Sequence, residues 1–133
     1  MTLYLDSSAL VKRYVREIGS DAIVEAMGRA SAYKMCRVGF VETVRAVALG
    51  GEAADLEKME GDWTRVDVIE VDGTLAEDAG RLAVRHRLRT LDALHLAAAL
   101  TLADEDPTFA TWDVRLHRAA HRCGLRTLPP ALS

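Results

Sequence analysis

A chain of 133 residues, half of them hydrophobic and 28% charged, can enclose one core between layers and shows none of the bias of disordered, collagenous or disulfide-rich sequences. The longest apolar run, Leu94 to Ala103, contains His95 and is far shorter than the ~20 residues of a spanning helix, so no membrane segment is expected. Residues 52–78 hold ten acids against Lys58 and Arg65, a net of −8, which leaves +5 for the remainder of a chain whose total is −3; any attraction for a polyanion is therefore local.

Thr2 to Leu5 is short, apolar and β-favouring, and it runs into Asp6-Ser7-Ser8, side chains that cap a following helix. Ala9, Leu10, Val11, Tyr14 and Val15 have helical spacing, Gly19 breaks the run, and Ser20-Asp21 starts a second helix through about Ala30. Ala32 to Cys36 reads as a second strand, and Val38 to Leu49 as a mostly buried helix closed by Gly50-Gly51. An acidic helix from Glu52 to Trp63 precedes a strand over Val66 to Val71 and a helix over Thr74 to Arg87. Asp92 to Ala103 predicts an apolar helix, Phe109 to Thr111 a strand, Asp113 to Arg122 a last helix and Leu125 to Leu128 a last strand.

This alternation predicts a single domain spanning residues 1–133, an α/β/α sandwich with a central parallel sheet flanked by helices. Cys36 and Cys123 are too few for a disulfide framework and read as reduced and buried. The first residues carry no basic region leading into an apolar stretch of signal length, and a cytoplasmic location is expected.

In open parallel sheets, ligands bind beyond the carboxyl ends of the strands. Asp6 and Asp113 both fall at strand-to-helix junctions of that kind; each alone is explained by helix capping, two together less easily. Glu42 shares a helical face with Val38, Ala46 and Leu49, and a carboxylate seldom faces a core unpaired. Asp92 opens the most apolar helix, with His95 on its side of that helix. No basic partner for all four acids is evident, and clustered unpaired carboxylates favour a cation. Hard oxygen donors select magnesium or manganese, Mg2+ or Mn2+, ions suited to hydrolysis at phosphorus. Arg81, Arg85, Arg87 and Arg89 precede Asp92, and Arg115, Arg118, Arg122 and Arg126 follow Asp113; they read either as solvated helix faces or as a track for a phosphate backbone.

His95 reads more readily as a hydrogen-bonded core residue than as an acid or base, and His86, His117 and His121 as exposed. Ser7 and Thr111 are placed to hydrogen-bond Asp6, Asp113 or a metal-bound water, or else to cap and pack.

Tyr4-Leu-Asp-Ser-Ser-Ala-Leu-Val-Lys-Arg-Tyr14 resembles the opening of a PIN-domain toxin of the VapC family, and Leu91-Asp-Ala-Leu-His-Leu-Ala-Ala-Ala-Leu100 resembles its third motif. Thr111-Trp-Asp-Val-Arg-Leu116 is similar to the fourth, and Glu42, within Val38 to Ala46, matches the second acidic position in order and spacing. The resemblance implies a PIN fold and a magnesium- or manganese-dependent endoribonuclease acting on RNA. It also implies a cognate VapB-like antitoxin whose tail enters the site, and a homodimer. It makes Asp6 and Asp92 the principal metal ligands, with Glu42 and Asp113 completing the pocket directly or through water. Trp112 departs from the smaller or single-ring residue expected before the fourth acid. The alternatives are a housekeeping PIN nuclease without antitoxin and a non-catalytic PIN-like or receiver-like binding module. A receiver would have paired acids after its first strand and a late lysine, whereas Asp6 precedes two serines and the last lysine is Lys58.

Overall fold

Thr2–Leu5 forms β1, and in a computed structural model describing residues 1–133 it lies in the middle of a five-stranded sheet ordered β3-β2-β1-β4-β5, every pairing parallel. The other strands are β2 (Ala32–Cys36), β3 (Val66–Ile69), β4 (Thr108–Ala110) and β5 (Arg126–Leu128). A strand covered on both faces must be apolar throughout. Leu3, Tyr4 and Leu5 are accordingly all fully buried.

Side chains alternate across the sheet and split the core in two. Tyr4, Cys36 and Phe109 face one layer, which is closed by α5 (Gly73–His86), α6 (Thr90–Leu100) and α7 (Val114–Arg122). Leu3, Leu5, Met35 and Ala110 face the other, closed by α1 (Ser7–Leu10), α2 (Ser20–Arg29), α3 (Val38–Gly50) and α4 (Ala53–Asp62). Seven helices thus flank a parallel sheet, the three-layer architecture that the alternating pattern predicts. No helix is long and apolar enough to cross a membrane.

Most boundaries fall within two residues of those expected from the sequence, and the larger differences have local causes. The helix expected from Asp92 to Ala103 runs from Thr90 to Leu100, with the extended Arg89 rather than Asp92 at its N-cap. A 3-10 turn over Ala103–Glu105 then takes up the end of the apolar run. The stripe of α3 that meets the core is Gly39, Thr43 and Val47. Glu42 therefore lies at its half-buried edge, and Leu49, expected on the inner face, is 71% exposed. His117, expected at the surface, is buried and bonded through Nε2 to the Pro129 carbonyl at 2.7 Å. Cys36 is buried, while Cys123, also expected to be, is only half so.

The strand order reverses at β1: the chain moves outward to β2 and β3, then returns to place β4 on the other side. Beyond the carboxyl ends of β1 and β4 such a reversal opens a crevice.

Candidate active site

Asp6 directly follows β1, and its N–H donates to the Ala110 carbonyl at the end of β4 at 3.2 Å. It is the N-cap of α1: Oδ1 accepts from the Ala9 N–H at 2.9 Å and from the Ser8 hydroxyl at 2.7 Å, and Oδ2 accepts from the Thr111 hydroxyl. The two hydroxyls have fixed polarity. Ser8 Oγ accepts the Trp112 N–H at 2.9 Å and Thr111 Oγ1 accepts the Asp113 N–H at 3.1 Å, so the protons of both are left for Asp6. Of the expected helpers Thr111 takes this role, but its companion is Ser8, not Ser7. Burial pushes the Asp6 carboxyl above its ordinary range, against the lowering influence of these donors.

Asp113 follows β4 and caps α7, its Oδ1 accepting the Leu116 N–H at 2.8 Å. Asp92 sits in the first turn of α6 and makes no capping bond. One guanidinium joins the two acids: Arg89 Nε donates to Asp92 Oδ2 at 3.2 Å and Arg89 Nη2 donates to Asp113 Oδ2 at 3.1 Å. Arg89 is 74% exposed while the Asp92 side chain is 14% exposed. Burial, then the charge of Asp113, raises the Asp92 carboxyl despite this pairing.

Glu42 is reached through a buried chain that local sequence does not display. The Cys36 N–H donates to the Tyr4 hydroxyl at 3.0 Å; that hydroxyl meets His95 Nδ1 at 2.7 Å; His95 Nε2 meets Glu42 Oε1 at 2.7 Å. Burial holds the Tyr4 phenol far above its usual pKa, so it keeps its proton. Since its oxygen already accepts from Cys36, that proton points to Nδ1, which places the proton of a neutral imidazole on Nε2, facing the carboxylate. Tyr4 is itself fixed by a stacked ring of Phe109, with centroids 5.2 Å apart. His95 is thus the buried, hydrogen-bonded residue expected, and it also orients one of the four acids. Its spacing of three from Asp92 was the available signal.

Trp112 fits because Gly19 has no side chain. Gly19 adopts φ +95, and a Cβ there would stand 2.6 Å from the indole. The Lys12 ammonium lies 5.0 Å from the ring on this packed side. The carboxylates are not displaced, since the backbone N–H of Trp112 remains on Ser8.

Asp6, Asp92 and Asp113 are therefore gathered around the ends of β1 and β4, and Glu42 is held toward them by α6. The donor set suits a hard divalent cation, being carboxylates with no thiolate or histidine pair among them. Its charge suits one too, because two of the acids are raised by burial and only one arginine answers them. No three metal-ligating side chains stand at coordination spacing in this arrangement, in which Arg89 occupies one oxygen each of Asp92 and Asp113. Asp92 Oδ1 and Glu42 Oε2 have no protein donor.

The family model described as "PIN domain" matches residues 3–122. The chain is 35% identical to Ribonuclease VapC49 of Mycobacterium tuberculosis over 98% of its own length and 96% of that protein's. It is 34% identical to Ribonuclease VapC46 of the same organism, over 97% and 98% of the two chains. Among solved structures, a toxin-antitoxin complex from Klebsiella pneumoniae contains a chain of similar fold, with a TM-score of 0.66 at 14% identity, covering 84% of this chain and 87% of that one.

Proposed function

The chain belongs to the PIN-domain family, and from that premise we propose that it is a magnesium- or manganese-dependent endoribonuclease, the toxin of a toxin-antitoxin pair, hydrolysing RNA phosphodiester bonds in the cytoplasm. One observation carries the reading: four carboxylates border the reversal point of a parallel sheet, with a single exposed guanidinium between two of them. Relatives at about a third identity over nearly the whole chain, named ribonucleases, support it.

Asp6 and Asp92 would be the principal holders of the ion, with Glu42 and Asp113 completing the pocket directly or through water. When bound, the ion supplies Lewis-acid chemistry that activates water and offsets charge developing at phosphorus. The residues of the chain supply position. Ser8, Thr111 and the Ala9 N–H lock both oxygens of Asp6, and His95 directs Glu42. Losing such an outer partner typically costs about 10–100-fold in metal affinity or activity.

Purified protein is expected to cut single-stranded or structured RNA with magnesium or manganese and to stop in EDTA. Equal cleavage in EDTA by a preparation free of contaminating nuclease would overturn the metal-dependent mechanism. The partner is a small antitoxin that co-purifies and suppresses cleavage by presenting a basic side chain to the acids, and the toxin itself is a homodimer. Co-expression with any short reading frame found beside its gene, followed by pull-down and light scattering, tests both; absence of toxicity alone and of any bound partner would shift the reading to a housekeeping nuclease.

A further inference from the structure

Beside the four acids lies a cavity of about 400 Å³ lined by Arg89, Asp113, Val114, Arg115 and Arg118. We propose that this cavity is a phosphate-binding subsite that grips the RNA backbone next to the bond being cut. The inference rests on the ribonuclease reading above and adds to it where, and by what chemistry, the substrate is held.

Three observations lead there. First, the guanidiniums come from separate elements: Arg115 and Arg118 lie three apart on α7, and Arg89 precedes α6. A solvated helix face would offer its charges outward from one element; here two elements enclose a shared concave space. Second, the charge is unanswered. Neither Arg115 nor Arg118 has a carboxylate within ion-pair distance, and the one acid in the lining, Asp113, is already shared with the Leu116 N–H and Arg89. In a chain of net charge −3, a pocket with three guanidiniums and one carboxylate selects an anion, and arginine forks suit phosphate oxygens. Third, the cavity adjoins the acids, because Arg89 and Asp113 belong to both. A phosphate seated among the arginines is therefore a near neighbour of the one at the carboxylates, in the same strand.

Arg89 is the linking member. Bonded to both Asp92 and Asp113, it stands between the acids and the cavity, and a backbone phosphate seated in the cavity gives its exposed guanidinium a further partner. The lining also limits what is read. Val114 is its only apolar residue and it has no aromatic ring, so its lining offers phosphate oxygens forked donors but gives a base no aromatic platform. Contacts of this sort position a strand without reading sequence.

The test measures anisotropy of a short labelled single-stranded RNA, with calcium in place of magnesium, across a salt series. The proteins are wild type, Arg115→Gln, Arg118→Gln, the double variant, and Arg122→Gln, an exposed arginine of α7 outside the cavity. Each cavity variant should bind at least about tenfold more weakly. Its salt slope should be shallower by about 0.7 per lost phosphate contact, and RNAs of permuted sequence should be affected alike. In cleavage with magnesium, KM should rise with kcat little changed. Arg122→Gln should stay within about twofold of wild type, as a general charge effect alone predicts.

Equal weakening by Arg122→Gln would reduce the effect to overall electrostatics and overturn the subsite. So would cavity variants that bind and cut RNA like wild type, including the case in which they lose the antitoxin instead. Those results leave wild-type cleavage standing, whereas a wild type that neither binds nor cuts RNA defeats the ribonuclease reading itself. All substitutions are at exposed positions, and thermal melts confirm that each variant is folded.

Discussion

Asparagine at Asp92 is expected to abolish RNA cleavage while leaving the metal-free protein as stable as wild type or slightly more so. The side chain makes no capping bond, so α6 does not need its charge to start. What the charge does is oppose folding, since burial and Asp113 raise the carboxyl above its ordinary value. For an acid raised in the folded state, the penalty is present at pH above the folded pKa and fades as pH falls through it toward the unfolded value near 3.8. Wild type in EDTA should therefore gain stability on mild acidification from neutral pH, and Asp92→Asn should show less of that gain. The pair with Arg89 is lost in the mutant, but with Arg89 74% exposed such a pair is worth at most about 1 kcal/mol. With magnesium at a hundredfold over its Kd, wild type should melt roughly 10 °C higher, and the mutant should move far less. Activity should drop by more than the ~100-fold associated with losing an outer partner. A mutant that melts well below wild type in EDTA would make Asp92 a structural residue, and one that still cuts RNA would remove it from the site.

What the sequence made legible was whatever is local. Asp6 and Asp113 stand at strand-to-helix junctions, and the same junction geometry that makes them caps places them at the carboxyl end of the sheet. The strands showed themselves by apolar runs because parallel strands covered on both faces have no polar alternation. What stayed hidden depends on chain segments far apart in sequence. His95 meets Glu42 across 53 residues and Tyr4 across 91. No helical periodicity encodes either contact. Ser8 rather than Ser7 supports Asp6 because one residue turns a side chain by about 100° on a helix, a difference that composition does not resolve. Arg89 was visible only as one of several flanking arginines, although its spacing of three from Asp92 already allowed the pair. Trp112, an oddity in its own motif, is explained by a glycine 93 residues earlier, since 112 less 19 separates it from Gly19.

Removing the Tyr4 hydroxyl should separate stability from chemistry in the direction opposite to a change at Glu42. Tyr4→Phe keeps the ring stacked on Phe109 but strips the buried Cys36 N–H and His95 Nδ1 of their partner. Leaving such groups unsatisfied costs about 1–3 kcal/mol each, and the melting temperature should fall by roughly 7–20 °C in the presence or absence of metal. The Nε2 proton still faces Glu42, so cleavage below the melting range should fall by no more than about tenfold. Glu42→Gln reverses the pattern: its amide oxygen still accepts from Nε2, so the fold is retained, while the charge offered to the cation is gone and cleavage should drop by more than about a hundredfold. His95→Ala combines the two losses, leaving a cavity that costs roughly 2–4 kcal/mol and an undirected Glu42. His95→Gln, which can return an N–H donor to Glu42 without refilling the ring volume, should recover activity more than stability. If Tyr4→Phe and Glu42→Gln instead lower stability and kcat in equal proportion, the chain from Tyr4 to Glu42 is packing alone, and the acid it holds has no separate part in the reaction.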